Sequence, residues 1–226
     1  MRARQLPQLS KDPTINAAVF RRLRDDIVSC RLRPDERLRT ESLRELYGVG
    51  SSPIREALMR LDSEGLVVLE ENKGFRVAPV SLSHLDDVTR VRLEVETIAM
   101  RWAIKNGDVR WEAELMAAFH RLSHFKKVNR ADVSSEWVKE HRYFHEALVA
   151  ACKSSELLSI RANLFAQFER YVALSIMSKA PPLNDLGEHE QIMHAAIARN
   201  VSRAIQFLTE HIQRTRNRVA KVLAVV

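Results

Sequence analysis

The chain has 226 residues, 46% of them hydrophobic and 29% charged, with a formal net charge of +7. That composition excludes a largely disordered chain and allows one large domain or two of ordinary size. No apolar run is long enough for a bilayer, and residues 1–25 mix Arg, Asp and Pro with isolated hydrophobics, so neither a membrane span nor a secretory signal is expected and the chain is placed in the cytoplasm. Cys30 and Cys152 are the only cysteines, a distant pair that reads as reduced structural thiols. The positive charge permits a polyanionic partner without locating it. Up to residue 79 there are 15 Lys and Arg against 12 Asp and Glu, and beyond it 21 against 17.

In chain order, helices are expected over Ile15–Arg31, Thr40–Tyr47 and Ser52–Glu64. Two β-prone stretches follow, Leu66–Leu69 and Phe75–Val77, joined by the turn-like Glu70-Glu71-Asn72-Lys73-Gly74. Pro79–Ser83 reads as a linker, and Ser83 with Asp86 resembles a capping box. From there the pattern is amphipathic helix over 83–106, 110–129, 133–152, 155–178, 186–199 and 201–224, with Ala180-Pro181-Pro182 breaking the fourth from the fifth. The fold class is therefore mainly α. Residues 1–79 form a winged helix-turn-helix of three helices plus a β-hairpin, a DNA-binding domain. Residues 80–226 form an all-α antiparallel bundle of about six helices, the effector-binding, metal-binding and dimerisation domain.

A helix-turn-helix needs a first helix, a tight turn, and a second helix whose N-terminal polar groups reach base edges. Leu43 to Leu61 supplies these: Leu43 and Leu46 face inward, Gly48-Val49-Gly50 turns, and Ser51-Ser52-Pro53 opens the recognition helix. Ala57, Leu58 and Leu61 pack while Arg55 and Arg60 project toward the duplex. Arg39 and Arg44 are placed to hold phosphates, and Lys73 with Gly74 at the wing tip to enter the minor groove. For any one of these arginines taken alone, the plainer reading is a solvated helix face.

The segments Leu32-Arg33-Pro34-Asp35-Glu36-Arg37-Leu38, Gly48 to Leu58, Leu61, Glu64-Gly65-Leu66 and Lys73-Gly74-Phe75-Arg76-Val77 closely resemble the DNA-binding domain of the GntR family. The resemblance covers about 65 residues and implies a winged helix-turn-helix transcription regulator. It departs at Ser51, where the family commonly carries an Arg that reads a guanine, which leaves the base preference open.

The helical half carries histidines in a pattern. His141 and His145 lie one turn apart, His141 within an apolar stripe and His145 on its flank, whereas His120 and His124 fall on a polar face. His189 shares a stripe with Ile192 and Ala196, and His211 lies between Ala204, Leu208 and Val222; His194 points away. A buried imidazole needs a hydrogen-bond partner or a metal, and four inward ones from three helices favour a metal over satisfied core histidines.

Val91-Arg92-Leu93-Glu94-Val95-Glu96, Phe144-His145 with Ala147-Leu148, Glu188-His189 with Ile192, and His211 make this half similar to the FadR-type C-terminal domain, or FCD, class of GntR regulators. Metal-binding members use an Asp four residues before the Phe-His histidine, that histidine and two later ones. The resemblance thus implies a divalent metal at His141, His145, His189 and His211, with His141 replacing the Asp. A neutral imidazole in place of a carboxylate favours Zn, then Ni or Cu, over Mn or Mg. Arg92 shares a stripe with Leu85, Val88, Val95 and Ala99, so it must find an anion: either Glu96 at i+4, or, as the resemblance implies, a carboxylate effector beside the metal. A Gly-Val-Gly turn region combined with His-x-x-Phe-His also resembles CsiR-type regulators, which implies a dicarboxylate.

The expected function is a ligand-responsive regulator, a repressor in the commoner mode. It binds a pseudo-palindromic double-stranded DNA operator as a homodimer and senses a small organic acid through the metal. Two rivals stand beside it. One is a regulator for which the metal itself is the signal. The other is a His-coordinated metalloenzyme, for which Glu140, Glu146, Glu188 and Glu190 flank the ligands without an evident base; the chain is not expected to be an enzyme and has no expected catalytic residues.

Overall fold

The computed structural model describes residues 15–125, 135–177 and 186–224. The chain divides into two compact units that part between Val80 and Ser81.

In the first unit, α1 spans Ile15–Val28, α2 Thr40–Tyr47 and α3 Ser51–Ser63. Val19, Phe20, Leu23 and Ile27 recur at helical spacing on α1 and are buried, as are Ile54, Ala57, Leu58 and Leu61 of α3. The two helices pack these stripes together. α1 stops short of the expected Arg31 because Cys30 turns into the left-handed region at φ 56°, and the Leu32 N–H returns to the Asp26 carbonyl.

α2 buries Leu43 and Tyr47, and the expected inward Leu46 is 63% exposed. Tyr47 lies one turn beyond Leu43, and its hydroxyl donates to Asp26 at 2.7 Å. That partner lets the larger ring take the inner position. Gly48 then adopts φ 66° and returns its N–H to Arg44, a left-handed helix end that favours glycine.

Beyond α3 the wing forms from β2 (Val67–Glu70) and β3 (Gly74–Val77), within a residue of the expected hairpin. A further strand, β1 (Arg37–Leu38), has no counterpart among the expected elements. It pairs antiparallel with β3, Leu38 opposite Phe75, giving the order β1-β3-β2. Two residues are too few for alternation to register in sequence.

The second unit holds α4 (Leu82–Asn106), α5 (Val109–Ser123), α6 (Ser135–Val149), α7 (Ser155–Met177), α8 (Leu186–Ile197) and α9 (Val201–Leu223). The expected extensions to residues 126–129, 133–134 and 178, and the Ala180-Pro181-Pro182 break, lie outside the described residues. The cap of α4 is Ser81, not the expected Ser83: Ser81 is extended and accepts the His84 N–H, which leaves Ser83 inside the first turn. The side chains of Asp108 and Asn200 likewise accept the N–H of Trp111 and of Arg203 at the starts of α5 and α9. α6 ends before the expected Cys152, because Ala150–Cys152 tightens into a 3-10 turn closed by Lys153 in the left-handed region.

At the corner between α4 and α5, a Cβ on residue 107 would fall 2.2 Å from the Trp111 ring, so only Gly107 admits that ring. Trp111 Nε1 in turn donates to the Ala147 carbonyl of α6 at 2.9 Å. Met100, Leu115, Phe144, Leu148, Ile192, Leu208 and Ile212 form the centre of the core, drawn from α4, α5, α6, α8 and α9. Among the described residues, Cys30 and Cys152 are buried and form no disulfide, and no helix is long and apolar enough to cross a membrane.

Candidate metal centre and DNA-reading surface

α6 presents His141 and His145 one turn apart, α8 presents His189, and α9 presents His211. One donor atom from each lies within 4.8 Å of all the others. His189 is 0% exposed, His145 1% and His211 4%, whereas His141 is only partly buried. This reverses the expected depth of the α6 pair. The buried stripe of α6 runs through Trp137, Phe144, His145 and Leu148, so His141 sits at its edge, with Trp137 stacked on it at 4.8 Å between ring centroids. His120, His124 and His194 are exposed and take no part.

Within the cluster, His189 Nε2 and His145 Nε2 are 3.2 Å apart. His145 Nδ1 is buried without a hydrogen-bond partner. Burial, then the neighbouring imidazoles and the Arg92 guanidinium, push His141 and His145 well below the ordinary imidazole range, so both rings stay neutral and keep lone pairs for ligation. His211 Nδ1 is 2.9 Å from Glu188 Oε2, and this hydrogen bond holds the Glu188 carboxyl below its usual value.

Arg92 is 3% exposed. Its Nε donates to Glu96 Oε1 at 3.3 Å, and its guanidinium lies 4.7 Å from the Phe165 ring centre and 4.5 Å from that of Phe168. Glu96 Oε2 accepts from Arg161 Nε at 2.8 Å, and Arg161 Nη2 donates to the His145 carbonyl at 2.8 Å. One buried carboxylate thus serves two buried guanidiniums. Burial opposes ionisation of Glu96, and Arg161 and Arg92 overcome it, holding the carboxyl below its ordinary value. Beside the candidate site, Arg161 was not singled out by sequence reasoning, and Glu188 was read only as part of the family resemblance and as an acid flanking the histidines. The signal for Arg161 was its place four and seven residues before Phe165 and Phe168, the stripe argument already applied to Arg92.

In the first unit, Arg39, Arg44, Ser51, Ser52, Arg55, Arg60, Lys73 and Gly74 are all exposed. A groove of about 410 Å³ gathers Arg39, Arg55, Lys73 and Gly74, and adds Arg37 and Thr40. The groove's lining does not include Arg44, Ser51, Ser52 or Arg60. Arg60 lies instead over the Phe20 ring at 3.8 Å, five residues and so about 140° round α3 from Arg55. Gly74 sits at φ 82°, where the hairpin turns back at Lys73.

A helix, a glycine turn, an exposed second helix and a β-wing tipped by Lys73 define a winged helix-turn-helix DNA-binding protein, here joined to an all-helical domain that holds a histidine cluster. Residues 15–77 match the family described as bacterial regulatory proteins, gntR family, and residues 87–214 match the FCD domain. The chain belongs to the GntR family, in its FCD class. It is a DNA-binding transcriptional regulator and not an enzyme. Over 199 residues it is 37% identical to the uncharacterized HTH-type transcriptional regulator BphR of Paraburkholderia xenovorans (strain LB400), covering 87% of this chain and 81% of that one. Over 198 residues it is 33% identical to the HTH-type transcriptional repressor GlaR of Escherichia coli (strain K12), covering 85% and 90%. The solved structure of E. coli McbR/YncC shares the fold, with a TM-score of 0.82 at 22% identity over 93% of this chain and 99% of that one.

Proposed function

We propose that this regulator is a homodimeric repressor of the cytoplasm whose helical unit holds a divalent metal ion, zinc first and nickel next, and binds a small carboxylate effector that alters its grip on a pseudo-palindromic operator. The observation that carries this reading is the convergence of four imidazole donors, three on buried rings, within 4.8 Å of one another. The residues fit such an ion. Tetrahedral bonds of about 2.0–2.1 Å set ligand nitrogens about 3.3 Å apart, close to the 3.2 Å between His145 and His189. Four neutral nitrogens suit zinc, nickel or copper better than manganese or magnesium. When bound, the ion supplies a positive centre that a carboxylate can coordinate.

Arg92 is the effector fork in this reading. Among the described residues its one hydrogen bond is the 3.3 Å contact with Glu96, which leaves guanidinium donors for a carboxylate or dicarboxylate. On the DNA side, Arg55, Ser51 and Ser52 at the exposed start of α3 address base edges, Arg39 and Arg44 hold phosphates, and Lys73 with Gly74 enters the minor groove. Arg60, on the opposite flank, serves phosphate if it leaves Phe20. A dimer has a surface to use: Val91, Ile98 and Trp102 of α4 are 42%, 38% and 43% exposed, an apolar stripe at helical spacing that a second copy would cover. Repression is the mode carried by the name of GlaR.

The test is a DNA fragment selected from random sequence by this protein. Its affinity is followed by fluorescence anisotropy while zinc, then a panel of di- and hydroxycarboxylates, is added. A change of about tenfold, some 1.4 kcal/mol of coupling, appears with carboxylate only on metal-loaded protein. A full response to zinc alone would make the metal the signal, and no response to either would end the proposal.

A further inference from the structure

The four imidazoles bring no charge of their own to a divalent ion, and the nearby Arg92–Glu96–Arg161 group already carries one net positive charge. A carboxylate nonetheless touches the site. Glu188 Oε2 lies 2.9 Å from His211 Nδ1, and Glu188 Oε1 accepts from Arg214 Nη1 at 2.8 Å. Arg214 is itself tied to Glu210 at 3.0 Å. Both oxygens of Glu188 are therefore engaged, one by the ring and one by a guanidinium that fixes the carboxylate from the solvent side. An ionised carboxylate is a pure acceptor, so the proton of the His211 ring lies on Nδ1 and its lone pair on Nε2.

We infer that Glu188 is a positioning residue of the metal centre: it fixes the His211 tautomer and ring direction for ligation through Nε2, and it supplies beside the ligands the negative charge that His141 removes from among them. The assignment rests on the metal reading above. Chain order favours it, because Glu188 directly precedes His189, so one turn of α8 carries both a ligand and the group that orients another. A carboxylate hydrogen-bonded to a ligating imidazole raises its basicity, and the loss of such a partner costs about 10–100-fold in metal affinity.

The alternative is that Glu188 merely ties α8 to α9 through Arg214. Zinc and nickel affinities, measured by chelator competition, separate the two on wild-type protein, Glu188→Ala, the isosteric Glu188→Gln, and Arg214→Ala, which breaks the same helix-to-helix pair but leaves the carboxylate on His211. The expected result is a loss of about 10–100-fold for both Glu188 variants and a change under about threefold for Arg214→Ala. The d–d absorption of bound cobalt(II) should be altered by the Glu188 variants alone. Wild-type affinity in Glu188→Gln, or an equal loss in Arg214→Ala, would overturn the assignment. Wild-type protein that binds neither metal would overturn the metal reading itself, and this role with it.

Discussion

Nε2 of His189 faces Nε2 of His145 at 3.2 Å across two helices. Two neutral ring nitrogens at that distance share one proton as donor and acceptor, and an ion that replaces the proton satisfies both. On the proposed metal reading, removing either ring removes one of the four ligands. His189→Ala is expected to lose more than the roughly 100-fold that an outer partner can cost, read as metal content after dialysis. Undiminished zinc would take His189 out of the ligand set.

Of the four proposed ligands, His141 is the one nearest solvent, and it stands where the family resemblance implies a carboxylate. His141→Asp returns a charged oxygen to the donor set, which favours harder ions. Competition between zinc and manganese should shift toward manganese by about tenfold or more, a difference of some 1.4 kcal/mol. An unchanged ratio would mean that residue 141 stays off the metal.

Arg55 and Arg60 lie on one helix but face different surroundings. Arg55 lines the basic groove, while Arg60 covers the Phe20 ring. Arg55→Ala should cost about 1–3 kcal/mol in affinity for the selected DNA without lowering the unfolding midpoint. Arg60→Ala should cost less in DNA affinity and about 0.5–1 kcal/mol in stability. Equal losses of DNA affinity would contradict the separation.

Tyr47 gives the first unit an alkaline limit. Its burial, together with the hydrogen bond to Asp26, raises the phenol far above its usual value. The native state therefore keeps a proton that the unfolded chain releases above about pH 10. The contribution is complete below that value and lost as pH rises beyond it, at up to about 1.4 kcal/mol per pH unit. Tyr47→Phe removes this term and costs about 1 kcal/mol at neutral pH for the lost hydrogen bond. Urea midpoints at about pH 8 and about pH 10.5 should fall more steeply in wild type than in the variant; parallel falls would refute the assignment.

Much of this architecture is legible in the sequence because periodicity reports which face of an element is buried. The bounds of α2, the hairpin around Lys73 and the burial of His145, His189 and His211 follow from spacing, whereas the relative depth of His141 and His145 does not. What spacing does not report is the partner that a buried face meets. Leu46 and Tyr47 both suit an inner position, and only Asp26, on another helix, decides between them. Glu96 at i+4 from Arg92 was visible, but Arg161, 65 residues further on, completes the buried group. Glu188 reads as a flanking acid until α8 and α9 bring it to His211. Strand β1 gains its identity from β3, not from its own two residues.

The most direct measurement is anomalous diffraction at the zinc edge from crystals grown or soaked with zinc. The account predicts one strong peak, bonded at about 2.0–2.1 Å to nitrogens of His141, His145, His189 and His211. No peak there, or a zinc ion held elsewhere with these four rings unchanged, would contradict it.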